Sequence, residues 1–268
     1  KITELEGGVA GMLTSSGQAA SFYAIFNICE AGDHFVSASS IYGGTYNLFA
    51  VTMKKLGIEV TFVDADASEE EISKAFRPNT KALFGETIAN PVLSVLDIEK
   101  FARIAHKNGV PLIVDNTFPT PINCRPIEFG ADIVIHSTTK YMDGHAMSVG
   151  GCIVDSGNFD WDKYADKFPG LCTPDESYHG IVYAEKFGKE GAFIKKNKMD
   201  ESDYRYPMLQ MNGIKREFIM VDGEEYEVQN VEYGKVPTLP KTPAKVGYTF
   251  LGWSESEGGA VVDMSAVK

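Results

Sequence analysis

The chain of 268 residues reads as an α/β fold, a mainly parallel sheet flanked by helices, with a small β-rich C-terminal appendage. Three observations predict this. Short apolar runs such as Pro111-Leu-Ile-Val114 and Asp132-Ile-Val-Ile135 alternate with segments whose apolar residues recur at helical spacing. Runs of that kind are strands buried on both faces, and their alternation with helices gives parallel pairing. Two of these strands are followed at once by residues capable of chemistry, Asp115 and the Ser137-Thr138-Thr139-Lys140 stretch, as expected where strand ends face a ligand crevice. After about residue 195 the alternation stops.

Taken in order, residues 1–13 begin as a short helix with Gly7-Gly8 in its path. A helix follows from Ala19 to Cys29, with Ser15 or Ser16 as N-cap and Gly17 allowing close backbone approach. Strands are predicted at 34–39, 58–63, 81–86, 111–115, 132–136 and 150–154. Tyr46 to Leu56 is a helix ending at Gly57, and Ser68-Glu-Glu-Glu71 is a capping box. Asp97 caps a helix that runs to Lys107 and stops at Asn108-Gly109. The prolines of Thr117-Phe-Pro-Thr-Pro121 predict a turn and exclude helix. Beyond residue 195 we expect a linker over 196–206 and a small module over 207–268. In that module Asp222-Gly223 between two strand-like runs signals a hairpin.

Hydrophobic residues make up 44% of the chain and charged residues 23%, ordinary values for a globular protein. A net charge of -12 argues against a nucleic-acid partner, which needs clustered Lys and Arg. Cys29, Cys124, Cys152 and Cys172 are far apart and form no CxxC pair, so a reducing, cytoplasmic setting is expected. The histidines lack metal-ligand spacing, and no metal site is expected. No apolar run reaches the length of a membrane span, and no signal peptide is recognisable. The chain opens on Lys1 and is expected to be a piece of a longer protein.

Asp115 and Lys140 at one crevice suit a particular chemistry. A lysine amine can form a Schiff base with a pyridoxal aldehyde, and a carboxylate can keep the pyridine nitrogen protonated. The small-residue turn Ser16-Gly17-Gln18 opens a helix, and the unpaired N–H groups there suit a phosphate. Tyr42, before Gly43-Gly44, could lie flat on a planar cofactor. Each residue alone also has a plain reading: a solvated lysine, a capping aspartate, an ordinary helix cap, a half-buried loop tyrosine.

Five stretches in order decide between these. Ser15-Ser-Gly-Gln-Ala19, Tyr42-Gly-Gly-Thr45, Glu86-Thr-Ile-Ala-Asn-Pro91, Val114-Asp-Asn-Thr-Phe118 and His136-Ser-Thr-Thr-Lys-Tyr141 resemble the Cys/Met-metabolism family of pyridoxal-phosphate enzymes. The resemblance implies the large domain of the fold type I PLP-dependent transferases over residues 1–195. It also implies pyridoxal 5'-phosphate as cofactor and a homo-oligomer. Catalytic roles would fall to Lys140, as the Schiff-base lysine, and to Tyr42. Ser16, Gly17, Gln18, Ser137 and Thr139 would hold the phosphate. Tyr42 would stack on the ring, Asp115 would pair with the ring nitrogen, and Asn90 would lie near the phenolic oxygen. Gln18, Thr117-Phe-Pro-Thr-Pro-Ile122 and Pro174-Asp-Glu-Ser-Tyr-His-Gly180 resemble the O-acetylhomoserine sulfhydrylase branch. That branch exchanges the acetyl-bearing oxygen at Cγ for sulfide or a thiol, giving homocysteine or methionine plus acetate. A related cystathionine γ-synthase or γ-lyase would share the same residues. The family pattern would extend upstream of Lys1 and, past Ile194, into a smaller domain, so truncation at both ends is expected. The later stretches Val236-Pro-Thr-Leu-Pro240 and Gly247-Tyr-Thr-Phe-Leu-Gly-Trp253 are similar to the Listeria–Bacteroides type repeat of bacterial surface proteins. This leaves a reading of another class, a non-catalytic scaffold fused to a surface-type repeat.

Overall fold

The structure is a computed structural model that describes residues 1–145, 147–197, 214–221 and 224–232. It comprises two compact units, Lys1–Lys198 and Met199–Lys268. The first opens with α1 (Ile2–Glu6), β1 (Ala10–Thr14), α2 (Gly17–Phe26) and β2 (His34–Ala38). Then come α3 (Gly43–Asn47), which runs on as a π-helical stretch over Leu48–Met53, β3 (Glu59–Val63), α4 (Glu69–Ser73) and β4 (Thr80–Glu86). Helix α5 (Ile98–Lys107), β5 (Leu112–Asp115), α6 (Thr120–Asn123), β6 (Ile133–His136) and β7 (Gly151–Asp155) follow. Three short helices close the unit: α7 (Pro169–Cys172), α8 (Tyr183–Phe187) and α9 (Ala192–Asn197).

The strands form a seven-stranded sheet in the order β1-β7-β6-β5-β4-β2-β3. Pairing from β3 through β2, β4 and β5 to β6 is parallel, and β7 is antiparallel to both of its neighbours. The carboxyl ends of β2, β4, β5 and β6 therefore share one edge, with Glu86 of β4 in register with Asp115 of β5. Strand β2 is buried along its whole length. Phe49 stands edge-on to both Phe35 and Phe84, at 4.9 Å between centroids in each pair, a favoured aromatic geometry. Helix α2 packs on β6 and β7, and its buried face carries the small residues Ala20, Ser21 and Ala24, which let the helix approach closely. Helix α5 begins where Lys100 N donates to the side chain of Asp97 and buries Ile98, Phe101, Ala102 and Ala105. The box over Ser68–Glu71 forms, with both reciprocal hydrogen bonds present.

Several expectations are corrected. Residues 1–13 do begin with a short helix, but a strand that was not expected follows it. Gly7, at φ 78, ends α1 after Glu6, and the chain re-enters as β1 against β7. Ala10-Gly-Met-Leu-Thr14 has little strand propensity of its own; the open edge of β7 supplies the hydrogen bonds that make it a strand. The proline-rich turn contains one turn of helix, α6, because Pro121 sits in its first turn, where a missing N–H costs nothing. The last strand of the sheet runs against its neighbours. Helix α2 ends at Phe26 rather than Cys29, and Ser16 rather than Ser15 caps it, accepting from Ala19 N. Helix α9 continues to Asn197, past the start of the expected linker.

In the second unit β8 (Ile214–Val221) and β9 (Glu224–Glu232) pair antiparallel, from Ile214 opposite Glu232 to Val221 opposite Glu224. The expected Asp222-Gly223 turn and the repeat-like stretches after Val236 lie outside the described residues.

A buried polar cluster ties α1 to the ends of β4, β5 and β6. His136 Nε2 is 2.5 Å from Glu6 Oε1, both side chains being fully buried. Asn116 Nδ2 donates to the same oxygen at 3.0 Å and to Cys124 O at 2.8 Å, while Thr87 Oγ1 donates to Asn116 Oδ1 at 3.0 Å. Removing one member strands the others in a dry site. Glu6→Ala is expected to cost about 3 kcal/mol in urea unfolding; a loss under ~0.5 kcal/mol would show that the pair contributes little.

Candidate active site

At the carboxyl edge of the sheet lies a cavity of about 220 Å³. Its walls include every residue singled out from the sequence: Ser16, Gly17, Gln18, Tyr42, Asn90, Asp115, Ser137, Thr139 and Lys140. They come from the start of α2, the start of α3, and the ends of β4, β5 and β6. Local chemistry explains each placement. Ser16 is extended at φ -167 and caps α2, which leaves the Gly17 and Gln18 N–H groups at the helix start without intrahelical acceptors. A Cβ on Gly17 would stand 2.5 Å from Ser137 Cβ, so only glycine lets the helix start meet the strand end. Gln18 Nε2 donates to Thr45 Oγ1 at 3.1 Å, which ties α2 to α3. The Tyr42 ring folds over Gly44, where an added Cβ would be 2.5 Å from Tyr42 Cε1. The ring remains 45% exposed and so presents a face to the cavity side.

Asp115 and the lysine stretch are held to each other by one hydroxyl. Thr117 Oγ1 donates to Asp115 Oδ1 at 2.5 Å and accepts from Ser137 N at 2.9 Å; Thr117 N donates to the same Oδ1 at 3.0 Å. Both bonds fall on Oδ1, so among the described residues Oδ2 is left as an acceptor. Lys140 follows in a turn, its N–H donating to Ser137 O at 3.3 Å. Its side chain is exposed, and no described residue bonds to Nζ. Thr139 is already engaged: its hydroxyl donates to Gly150 O at 3.2 Å and accepts from Gly150 N at 3.0 Å. Its proton is thereby directed to the Gly150 carbonyl, so of the two hydroxyls of the stretch that line the cavity, Ser137 is the one without a partner among the described residues.

The cavity also holds residues to which the sequence assigned no role: Ser21, Thr45, Glu86, Thr117 and Phe118. Glu86 is buried at 6% exposure, and its Oε2 accepts from Tyr42 N at 2.6 Å. The signal that marks it is a glutamate ending an otherwise apolar strand. Burial pushes its carboxyl up to about 8, with the Asp115 charge adding to the shift and the Tyr42 and Asn90 N–H groups opposing it. Burial also raises Asp115, while the Thr117 hydrogen bonds and the His136 charge pull the other way.

These features fit a phosphorylated pyridine aldehyde. The start of α2 is an N–H cradle that one Cβ would fill, Asp115 keeps an unspent oxygen for a ring nitrogen, and an amine stands unpaired among the described residues.

Comparison with known proteins agrees in kind. The family model described as Cys/Met metabolism PLP-dependent enzyme matches residues 1–190, and that of the Listeria-Bacteroides repeat domain matches residues 218–267. The chain belongs to the Cys/Met metabolism PLP-dependent enzymes. It is 50% identical over 195 residues to the homocysteine/cysteine synthase of Kluyveromyces lactis, covering 72% of this chain and 44% of that protein. It is 48% identical over 189 residues to the O-acetyl-L-homoserine sulfhydrylase of Leptospira meyeri, covering 70% and 42%. The chain thus spans less than half the length of these relatives. Among solved structures, an O-acetylhomoserine sulfhydrylase from Wolinella succinogenes superposes with a TM-score of 0.62 at 33% identity, covering 79% of this chain and 55% of that one. A Campylobacter jejuni structure that carries N'-pyridoxyl-lysine-5'-monophosphate gives a TM-score of 0.64 at 31% identity, covering 79% and 58%.

The raised carboxyl of Glu86 has a consequence for stability. Its folded value of about 8 lies above the ordinary 4.5, so the folded chain binds the proton more tightly than the unfolded chain. Its contribution is fully present below about pH 4.5 and is lost as pH rises through about 8. The cofactor-free chain should therefore lose Tm over that window, and Glu86→Gln, which cannot ionise, should flatten the slope. An equal slope in both would place the titration elsewhere.

Proposed function

We propose that this chain is the cofactor-binding part of an O-acetyl-L-homoserine sulfhydrylase acting in the cytoplasm. The net reaction is O-acetyl-L-homoserine plus sulfide to homocysteine plus acetate, or to methionine when the thiol is methanethiol. The observation that carries the reading is the cavity itself, in which a helix-start cradle, an aspartate with a free oxygen and an unpaired lysine face one volume. The names of the relatives favour the sulfhydrylase over a γ-synthase or γ-lyase. The intact cofactor residues favour an enzyme over a scaffold. A homo-oligomer, which the family resemblance implies, remains part of the proposal.

Pyridoxal phosphate, when bound, supplies a carbonyl for amines and a ring that draws electrons from the carbon beside the joined nitrogen. The protein's own groups do the rest. The Gly17 and Gln18 N–H groups, with the Ser137 hydroxyl, hold the phosphate at the positive end of α2. Ser16 fixes that helix start, and Thr139 fixes the lysine turn against Gly150. Asp115 Oδ2 would accept a hydrogen bond from the protonated ring nitrogen and keep it protonated, its placement set by Thr117. The Tyr42 ring would lie over the pyridine, and the Asn90 amide would serve its phenolic oxygen. Lys140 Nζ would be the amine that holds the cofactor's aldehyde carbon and, when free, the base for the substrate's Cα proton.

Incubation with pyridoxal phosphate, borohydride reduction and peptide mass mapping should place a cofactor tag on Lys140, and Lys140→Ala should carry none. A tag on another lysine would overturn the assignment. In a separate, unreduced sample loaded with pyridoxal phosphate, addition of O-acetyl-L-homoserine and sulfide should yield homocysteine. Failure of that step in protein that has taken up the cofactor would leave a binding relic. Gly17→Ala pushes the start of α2 away from Ser137 and should weaken pyridoxal phosphate binding about tenfold, measured by equilibrium dialysis. An unchanged affinity would remove the cradle from the site.

A further inference from the structure

Resting on the cofactor reading above, we infer that Glu86 is a positioning residue that sets the Tyr42 and Asn90 sides of the cofactor ring. Three observations converge on it. Its carboxyl oxygen accepts from Tyr42 N at 2.6 Å, across 44 residues of sequence. The Asn90 N–H faces the same carboxyl. Its position on β4 is in register with Asp115 on β5.

The geometry gives this one side chain an unusual reach. Tyr42 is the residue before α3; its carbonyl accepts from Tyr46 N at 2.9 Å, but it has no side-chain cap of its own, and no nearby residue in sequence holds its N–H. Glu86 does so from a different strand. Tyr42 N is the point from which the ring hangs over Gly44, and a shift there moves the ring that would cover the pyridine. Asn90 lies four residues beyond Glu86, in the loop that leaves β4, and its N–H is turned back onto the carboxyl at that strand's end. The same strand end stands beside Asp115, the partner of the ring nitrogen. A buried strand side chain thus connects the face, the edge and the nitrogen side of the ring without needing to touch it. The phosphate cradle at Gly17 and Ser137 lies on other elements, and among the described residues Glu86 makes no hydrogen bond to it.

That separation gives the test a readout which general loss of structure would not mimic. The full chain is compared with Glu86→Met, which keeps the volume and removes the acceptor, and with Glu86→Gln, which keeps an acceptor oxygen. E86A replaces E86M if the latter does not fold. Amide hydrogen exchange at Tyr42 is measured without cofactor. Affinities for pyridoxal phosphate and for inorganic phosphate are measured separately. In E86M the Tyr42 amide should exchange at least about tenfold faster and pyridoxal phosphate should bind about tenfold more weakly, as for loss of one hydrogen bond to a carboxyl. Inorganic phosphate affinity should hold within about twofold, and E86Q should stay close to the parent chain. Unchanged Tyr42 exchange in E86M, a matching fall in phosphate affinity, or an E86Q as impaired as E86M would each overturn the inference. A parent chain that takes up no pyridoxal phosphate would instead sink the cofactor reading, while the exchange data would still decide whether Glu86 holds Tyr42.

Discussion

The hydroxyl of Thr117 is the small interaction on which the site depends. It accepts from the Ser137 backbone and donates to Asp115, so the ends of β5 and β6 cannot drift apart. Without it, the backbone would still pair as far as Asn116 N on Ile135 O, but the Asp115 carboxyl would not be tied to the Ser137 backbone. With it, an aspartate and a lysine 25 positions apart in sequence are held to one wall. The short contact to Asp115 also counters the burial that would otherwise drive that carboxyl toward its neutral form. Anchoring and electrostatics are thus served by one side chain.

Behind this wall the molecule gathers charge where it is hard to keep. Glu6 and His136 are paired at zero exposure, and Asn116 joins them from the residue next to Asp115. Glu86 and Asp115 are neighbouring acids on adjacent strands. Two like charges so close in a dry place are unfavourable, and the structure resolves this by letting Glu86 hold its proton. Burial raises Asp115 as well, and the Thr117 hydrogen bonds and the His136 charge oppose that rise. Buried ionic clusters of this kind are poor sources of net stability. Here they lie directly beneath the residues that must be placed accurately.

The fold was legible in the sequence where local rules decide. Apolar runs bounded by Gly, Pro and Asn became β2 to β6, and the caps at Ser68 and Asp97 became helix starts, since a cap needs only residues within three positions. The candidate site was legible as far as residue types and motifs reach: Ser16-Gly17-Gln18, Tyr42, Asn90, Asp115 and the lysine stretch lie on one cavity. What was not legible depends on distant partners. Strand β1 exists because β7 offers it an edge. The direction of β7 itself follows from the long loop after Lys140. The pairing of Glu6 with His136 spans 130 residues, and no window of sequence contains it.

The sequence by itself determined the alternation of strand and helix, the helix caps and the set of residues capable of cofactor chemistry, because these follow from local sterics and hydrogen-bonding capacity. Only the tertiary structure decided which of them meet and in what charge state. It committed the Thr139 hydroxyl to Gly150, left Asp115 one free oxygen, and turned Glu86 from a strand-end acid into the acceptor that holds Tyr42. Those outcomes depend on burial and on contacts between strands that are remote in sequence, and a carboxyl's proton affinity is set by what surrounds it in space.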